Sequence, residues 1–252
     1  MIKLLKPKFW DNKNKIFSIL LLPISALIQL LLKFKKNISV AKKFNIPIIC
    51  VGNIYIGGTG KTPLSINIAN ELKNSFTNVV IIKKFYKNQK DEHILINEKS
   101  GSLITNFTRI KALEEAEKKG SKVAILDDGF QDYTIKKDLN ILCFNNRQLI
   151  GNGFTFPSGP LRESFNSIKS AQIIVINGEE NKVFEKKIYE VSKGIKIYYS
   201  KYIPLNIDEF KNKKLFAIAG IGNPNNFFEL LTENGLKVEK SISFPDHYAF
   251  NK

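Results

Sequence analysis

Between Pro47 and Leu72 an apolar run rich in isoleucine passes into a glycine-rich turn, then Gly60-Lys61-Thr62, then an amphipathic helical pattern with Pro63 in its first turn. A triphosphate needs that order of elements. Glycines let backbone N–H groups wrap phosphate oxygens at a helix N-terminus. A lysine placed as Lys61 is reaches the β- and γ-phosphates, and a hydroxyl placed as Thr62 is ligates Mg²⁺. The candidate nucleotide-binding loop is therefore Tyr55-Ile56-Gly57-Gly58-Thr59-Gly60-Lys61-Thr62. The strict G-x-x-x-x-G-K-[ST] spacing asks for glycine where Tyr55 stands, and Gly57 and Gly58 supply the flexibility instead.

Mg²⁺ held on a triphosphate wants a second protein anchor, usually an Asp at the end of a nearby apolar strand. The run 122–126 followed by Asp127-Asp128-Gly129 offers one. Alone, Asp-Asp-Gly after a strand is most often a turn. Downstream of a phosphate loop it reads as a metal anchor, with Asp127 and Asp128 both candidates.

These groups must be carried by a frame. From residue 46 onward, short β-rich runs alternate with helical patterns, the signature of a parallel sheet with crossover helices. Strands are expected over 47–51, 79–83, 122–126, 139–144, 173–176, 196–200, 214–219 and 237–243. Helices are expected over 63–74, 109–119, 182–192 and 224–234. The fold class is α/β: a P-loop NTPase-like, mostly parallel sheet with flanking helices, an N-terminal membrane-associated helix and a smaller, incomplete C-terminal lobe. The expected divisions are residues 1–44, 45–205 and 206–252.

The N-terminal segment contains an apolar run of 17 residues, 16–32, at the lower edge of what spans a bilayer. Its polar members Ser18, Ser25 and Gln29 share one helical stripe that Lys33 and Lys36 extend. Lysines flank both ends without the asymmetry that sets a crossing orientation. The pattern suits a helix lying in the cytoplasmic leaflet, lysines on an anionic surface and Trp10 near the interface.

The net charge is +16, yet of 39 basic residues only Arg109, Arg147 and Arg162 are arginine. Codon drift and an anionic membrane surface account for this excess, and no nucleic-acid module is recognisable. The two cysteines, Cys50 and Cys143, sit in apolar strand-like runs and fit no disulfide or zinc pattern, as in a cytosolic chain.

VGNIYIGGTGKTP, DDGFQDY, FPSGPLRES, GIGNPNNFF and FPDHYAF occur in that order, and with them the chain resembles the tetraacyldisaccharide 4'-kinases. The resemblance implies ATP with Mg²⁺, and transfer of the γ-phosphate to the 4'-hydroxyl of an acylated glucosamine disaccharide 1-phosphate, giving lipid IVA. It also implies the cytoplasmic face of a bacterial inner membrane. The expected partners are the disaccharide phosphate and an anionic membrane surface, with no nucleic acid, and the chain is expected to be a monomer. It assigns catalysis to Lys61, to Asp91 as the base on the sugar hydroxyl, and to His247 as its helper. It assigns substrate contacts to Arg162 and Glu163, where a planar guanidinium fork would grip a phosphate as lysine cannot.

The chain departs from the family pattern at several points. Lys83-Lys84-Phe85-Tyr86-Lys87 replaces Ser-Arg-Gly-Tyr-Gly, His93 replaces proline, and Asp132 replaces histidine. Members usually continue past the Asp-His motif, whereas this chain stops at Lys252, so a C-terminally truncated member with lower stability and activity is expected. Two rival readings share the same motifs: a membrane-associated P-loop ATPase or switch protein, and an inactive nucleotide-binding remnant of the kinase.

Overall fold

A computed structural model of the chain describes residues 7–10, 16–86, 89–245 and 248. It forms two compact units, one spanning Pro7–Ser200 and the other containing the described residues from Lys201 on.

The first unit is built on a seven-stranded sheet. Its strands are β1 (Ile48–Gly52), β2 (Val79–Lys84), β3 (Leu103–Asn106), β4 (Val123–Asp127), β5 (Leu139–Asn145), β6 (Ile173–Asn177) and β7 (Lys196–Ser200). All neighbours pair in parallel, in the order β3-β2-β4-β1-β5-β6-β7. Parallel strands covered on both faces read as unbroken apolar runs, and β4 (VAILD) is buried at every residue. Helices α3 (Lys61–Leu72), α4 (Lys90–Ser100), α5 (Arg109–Lys118) and α6 (Lys182–Val191) cross between the strands. Cys50, Leu126 and Leu142 join a core cluster with Leu113 of α5, while Val51, Ile125 and Cys143 join another with Ile66 and Ala69 of α3. Both cysteines are free, and burial pushes each thiol up to about 12.

The order runs outward on both sides of β1, so the loop after β1 opens at the point where crossovers diverge. Ligands of open α/β sheets bind at such carboxyl-end crevices. Local signals start the flanking helices: Thr108 accepts a hydrogen bond from Lys111 N ahead of α5, and Asn181 from Phe184 N ahead of α6. Each cap contributes about 1 kcal/mol.

Two elements were not expected from sequence. α4 (KDEHILINEKS) buries only Ile96 and Ser100 and has no side-chain cap, so its helical stripe is faint. β3 is a four-residue edge strand.

Two helices, α1 (Ile16–Leu20) and α2 (Leu22–Ile38), precede the sheet, with Pro23 in the first turn of α2. Their polar stripe faces inward. Ser18 and Ser25 are buried, whereas Phe17, Leu20, Leu27, Leu30 and Phe34 are exposed. Asn152 Nδ2 donates to Ser18 Oγ at 3.0 Å, Ser158 N donates to Ser25 Oγ at 3.0 Å, and Gln29 Nε2 donates to Arg162 O at 3.2 Å. Trp10 corrects an expectation: it is buried, its indole N–H donating to Pro157 O at 3.1 Å, rather than placed at a membrane interface. Among the described residues no helix is long and apolar enough to cross a membrane.

The second unit contains β8 (Lys214–Ala219), α7 (Pro224–Glu233) and β9 (Lys237–Ser243). β8 and β9 pair in parallel, with a register shift at Leu215/Phe216.

Gly52 ends β1 against the turn after β4, and a Cβ there would lie 2.5 Å from Phe130 Cβ. Gly52→Ala should therefore lower the unfolding free energy by about 1–3 kcal/mol through overpacking. Urea denaturation checks this: the midpoint should fall with no change in m.

Candidate active site

The loop from Asn53 to Gly60 leaves β1 and enters α3. Gly57 and Gly60 have φ of +130° and +89°, backbone that L side chains rarely adopt, so glycine at these two positions sets the curvature. Asn53 is buried and pins the turn from within, Nδ2 donating to Gly57 O at 3.3 Å and Thr59 Oγ1 at 3.0 Å. Ile56 N donates to Pro160 O at 2.8 Å and Arg162 N to Ile54 O at 2.7 Å. Tyr55, in the place of the first glycine, is buried and bridges to Leu161. Its position anchors the loop to the Pro160–Arg162 stretch.

The two aspartates left open by sequence take different partners. Asp127, the last residue of β4, is wholly buried. It accepts from Thr62 Oγ1 at 3.0 Å, Ser65 Oγ at 3.2 Å and Lys83 Nζ at 2.6 Å. Asp128 turns into left-handed backbone (φ +57°), and its N–H donates to Val51 O at 2.9 Å. Its carboxylate lies 2.9 Å from Arg162 Nη1 and 3.7 Å from Lys61 Nζ. Burial opposes its charge, but Lys61 and then Arg162 outweigh that and hold the carboxyl down to about 2.

Further groups lock this centre in place. Arg109 Nη2 donates to Asp128 O at 2.6 Å, and its Nη1 lies 3.4 Å from Asp132. Asp132 also accepts from Thr134 Oγ1 at 2.6 Å. Gln131 Nε2 donates to Asn53 O at 2.9 Å, while Arg162 Nη1 donates to Gln131 Oε1 at 3.4 Å. Sequence reasoning missed Ser65, Lys83, Arg109 and Gln131. The rarity of arginine was the available signal for Arg109.

Lys61, Thr62, Asp127, Asp128 and Arg162 thus meet at the ends of β1 and β4. Glu163 turns elsewhere: it is buried, bonded to the Tyr133 hydroxyl, and lines a small open pocket with Lys36 and Lys137. Asp91 is an exposed residue in the first turn of α4. Its neighbour Glu92 reaches Lys83 Nζ at 2.5 Å, linking that turn to Asp127. His93 stacks near Phe85 at 5.9 Å, and burial followed by the charge of Lys83 lowers its pKa. His247 lies outside the described residues.

The Thr62 hydroxyl and the Asp127 carboxylate are hard oxygen donors side by side at the head of α3. They fit Mg²⁺, which takes one or two protein oxygens and completes its shell from phosphates and water.

The Asp128 contacts set a pH dependence. Its folded-state pKa, about 2, lies below the ordinary 3.8, so its contribution is fully present above about pH 4 and is lost as pH falls toward 2. Asp128→Asn should remove that component, making the stability difference from the wild type shrink between pH 4 and 2. Urea midpoints across that range check it.

Residues 17–252 match the family described as tetraacyldisaccharide-1-P 4'-kinase, LpxK. A tetraacyldisaccharide 4'-kinase of Pelagibacter ubique (strain HTCC1062) is 49% identical over 255 residues, covering 100% of this chain and 81% of that protein. The corresponding Rickettsia bellii (strain OSU 85-389) protein is 36% identical, covering 99% of this chain and 82% of its own length. A crystal structure of LpxK from Aquifex aeolicus in complex with ATP superposes with a TM-score of 0.72 at 27% identity, covering 94% of this chain and 85% of that one. With a family match over nearly its whole length and relatives well above 30% identity, the chain belongs to the tetraacyldisaccharide-1-P 4'-kinase family.

Proposed function

We propose that this chain transfers the γ-phosphate of ATP to the 4'-hydroxyl of tetraacyldisaccharide 1-phosphate, forming lipid IVA at the cytoplasmic face of the inner membrane. The observation that carries this reading is the meeting of Lys61, Thr62, Asp127, Asp128 and Arg162 at two adjacent strand ends, in a member of this kinase family.

Phosphoryl transfer asks mainly for positioning and charge neutralisation. In this reading the loop amides from Gly57 to Thr62 cradle the β- and γ-phosphates, and Lys61 neutralises charge on the group in transit. Thr62 and Asp127 would hold Mg²⁺, which when bound would screen the phosphate oxygens. Asp128 keeps Lys61 and Arg162 at the loop mouth while no phosphate is present, because both cations share its carboxylate. Arg162 presents a flat, permanently charged fork suited to a phosphate. Asp91 takes the proton of the attacking hydroxyl, and His247, outside the described residues, is the helper that the family resemblance assigns to it. Glu163, next to Arg162 in the chain and buried, ties that loop to the Tyr133 hydroxyl and so supports it.

The acyl chains need an apolar surface near the loop. α1 and α2 offer one, because their polar stripe is spent on the 152–162 segment and their leucines and phenylalanines face outward. An inverted amphipathic helix of this kind rests on an anionic leaflet and brings a headgroup toward Arg162.

Two measurements test the reading. Lys61→Ala should cut transfer of labelled γ-phosphate to tetraacyldisaccharide 1-phosphate in detergent micelles by about 10²–10³-fold; undiminished turnover would remove Lys61 from the mechanism, and ATP hydrolysis without lipid product would favour the switch reading. Leu27→Glu with Phe34→Glu should weaken binding to phosphatidylglycerol vesicles by at least about tenfold. Undiminished vesicle binding would place the membrane contact elsewhere.

A further inference from the structure

Lys83 is a charged residue in a strand whose preceding four residues, Val79 to Ile82, are buried apolar side chains. Its own side chain is only 6% exposed. A buried ammonium is tolerated where partners surround it, and here two carboxylates do: Asp127 Oδ2 at 2.6 Å and Glu92 Oε2 at 2.5 Å. Burial works against the charge, but Asp127 and then Glu92 outweigh it and hold the ammonium well above the usual lysine range. The two carboxylates come from different elements, one from the end of β4 and one from the first turn of α4. Asp127 Oδ2 is also the oxygen that accepts from Thr62. Two hard oxygen donors converging from separate elements are what a divalent ion asks for. In this chain a lysine Nζ stands between them.

We propose that Lys83 is the resident cation of the Asp127–Glu92 pair, standing where a divalent ion would otherwise bridge these carboxylates and tying the first turn of α4 to the metal-side end of β4. The cation itself is independent of the kinase reading; its consequence for catalysis rests on that reading, since α4 carries Asp91. Lys83 then acts as a positioning residue. Its ammonium fills the gap between Asp127 and Glu92, so that Thr62 and Asp127 would hold Mg²⁺ without Glu92. It also fixes Asp91 relative to the phosphate loop through one short chain, Glu92 to Lys83 to Asp127. A covalently attached ammonium makes this tie permanent, whatever the free Mg²⁺ concentration.

The test is Mn²⁺ binding to the full, nucleotide-free chain in detergent, followed by electron paramagnetic resonance. Lys83→Met keeps the length of the side chain and removes its charge. It should gain one Mn²⁺ site at least about tenfold tighter than any in the wild type, and Lys83→Met with Glu92→Gln should lose that gain. Equal binding by wild type and Lys83→Met, or a gain that survives Glu92→Gln, overturns the proposal. Should Lys83→Met fail to fold, Glu92→Gln alone serves, because Asp127 keeps its lysine. Hydrogen exchange in the first turn of α4 should then quicken about tenfold while the phosphate loop stays as protected as before; unchanged exchange overturns the tie. With the kinase active, Glu92→Gln should lower kcat by about tenfold and leave the KM for ATP unaltered. Neither the Mn²⁺ nor the exchange readout needs turnover, so failure of the kinase reading and failure of this inference are separate results.

Discussion

A single buried carboxylate organises the carboxyl end of the sheet in this molecule. Asp127 has no exposure to water, and an ionised carboxylate in that setting is costly unless each oxygen is engaged. Thr62, Ser65 and Lys83 meet that demand, and each comes with a structural consequence. Thr62 and Ser65 fix the first turn of α3 against β4, so the helix N-terminus aims where phosphates would sit. Lys83 fixes the end of β2 and, through Glu92, the start of α4. The sheet supplies the remaining constraint: parallel pairing of β1 with β4 puts Val51 opposite Asp127, two residues before the loop that starts at Asn53. Sheet register and buried charge therefore specify the same arrangement from two directions.

The N-terminal helices follow a different logic. Most surface helices turn apolar residues inward, and α1 and α2 do the reverse. Three short polar side chains hold them to the loop that carries Pro160 and Arg162. That same loop supports the phosphate loop through Ile54 and Ile56. One segment thus joins an outward apolar surface to the head of the nucleotide site. A polar hinge suits this better than an apolar contact would, because directional hydrogen bonds fix orientation while the apolar residues stay available on the outer face.

Much of the site was legible before any coordinates, for identifiable physical reasons. The phosphate loop is local: its glycines, lysine, threonine and helix follow one another in the chain, so spacing alone specifies them. The central strands were equally plain because burial on both faces forces long apolar runs. Legibility ends where partners are distant. Lys83 reads as the frayed charged end of a strand until Glu92 and Asp127 arrive from elsewhere in the sequence. α4 was hidden because its surface is polar and only Ile96 and Ser100 turn inward. Trp10 was misread because an aromatic beside an apolar helix can meet lipid or protein equally well, and only the fold supplies Pro157 as its partner. The stripe of Ser18, Ser25 and Gln29 was visible, but its direction was not, since polar residues on a helix ordinarily mark the wet side.

The neighbouring aspartates show how little backbone is needed to divide two roles. Asp127 is still in β-strand geometry, so its side chain enters the layer between sheet and α3. One residue later the chain turns left-handed, at a cost that a non-glycine residue bears only where its surroundings enforce it. Here the enforcement is visible: Asp128 N–H is held by Val51 O and its carbonyl by Arg109. Gly129 follows at a point where even a Cβ would lie 2.8 Å from Leu126, so the turn cannot be relaxed by substituting a larger residue. The result is two carboxylates on consecutive residues with separate environments. One is enclosed among hydroxyls and an ammonium; the other faces the cations Lys61 and Arg162. Equivalent acids in a regular strand would point to opposite faces of the sheet and could not both serve one site. The strained turn after β4 is therefore what lets a single Asp-Asp-Gly segment address both Thr62 and the Lys61–Arg162 pair.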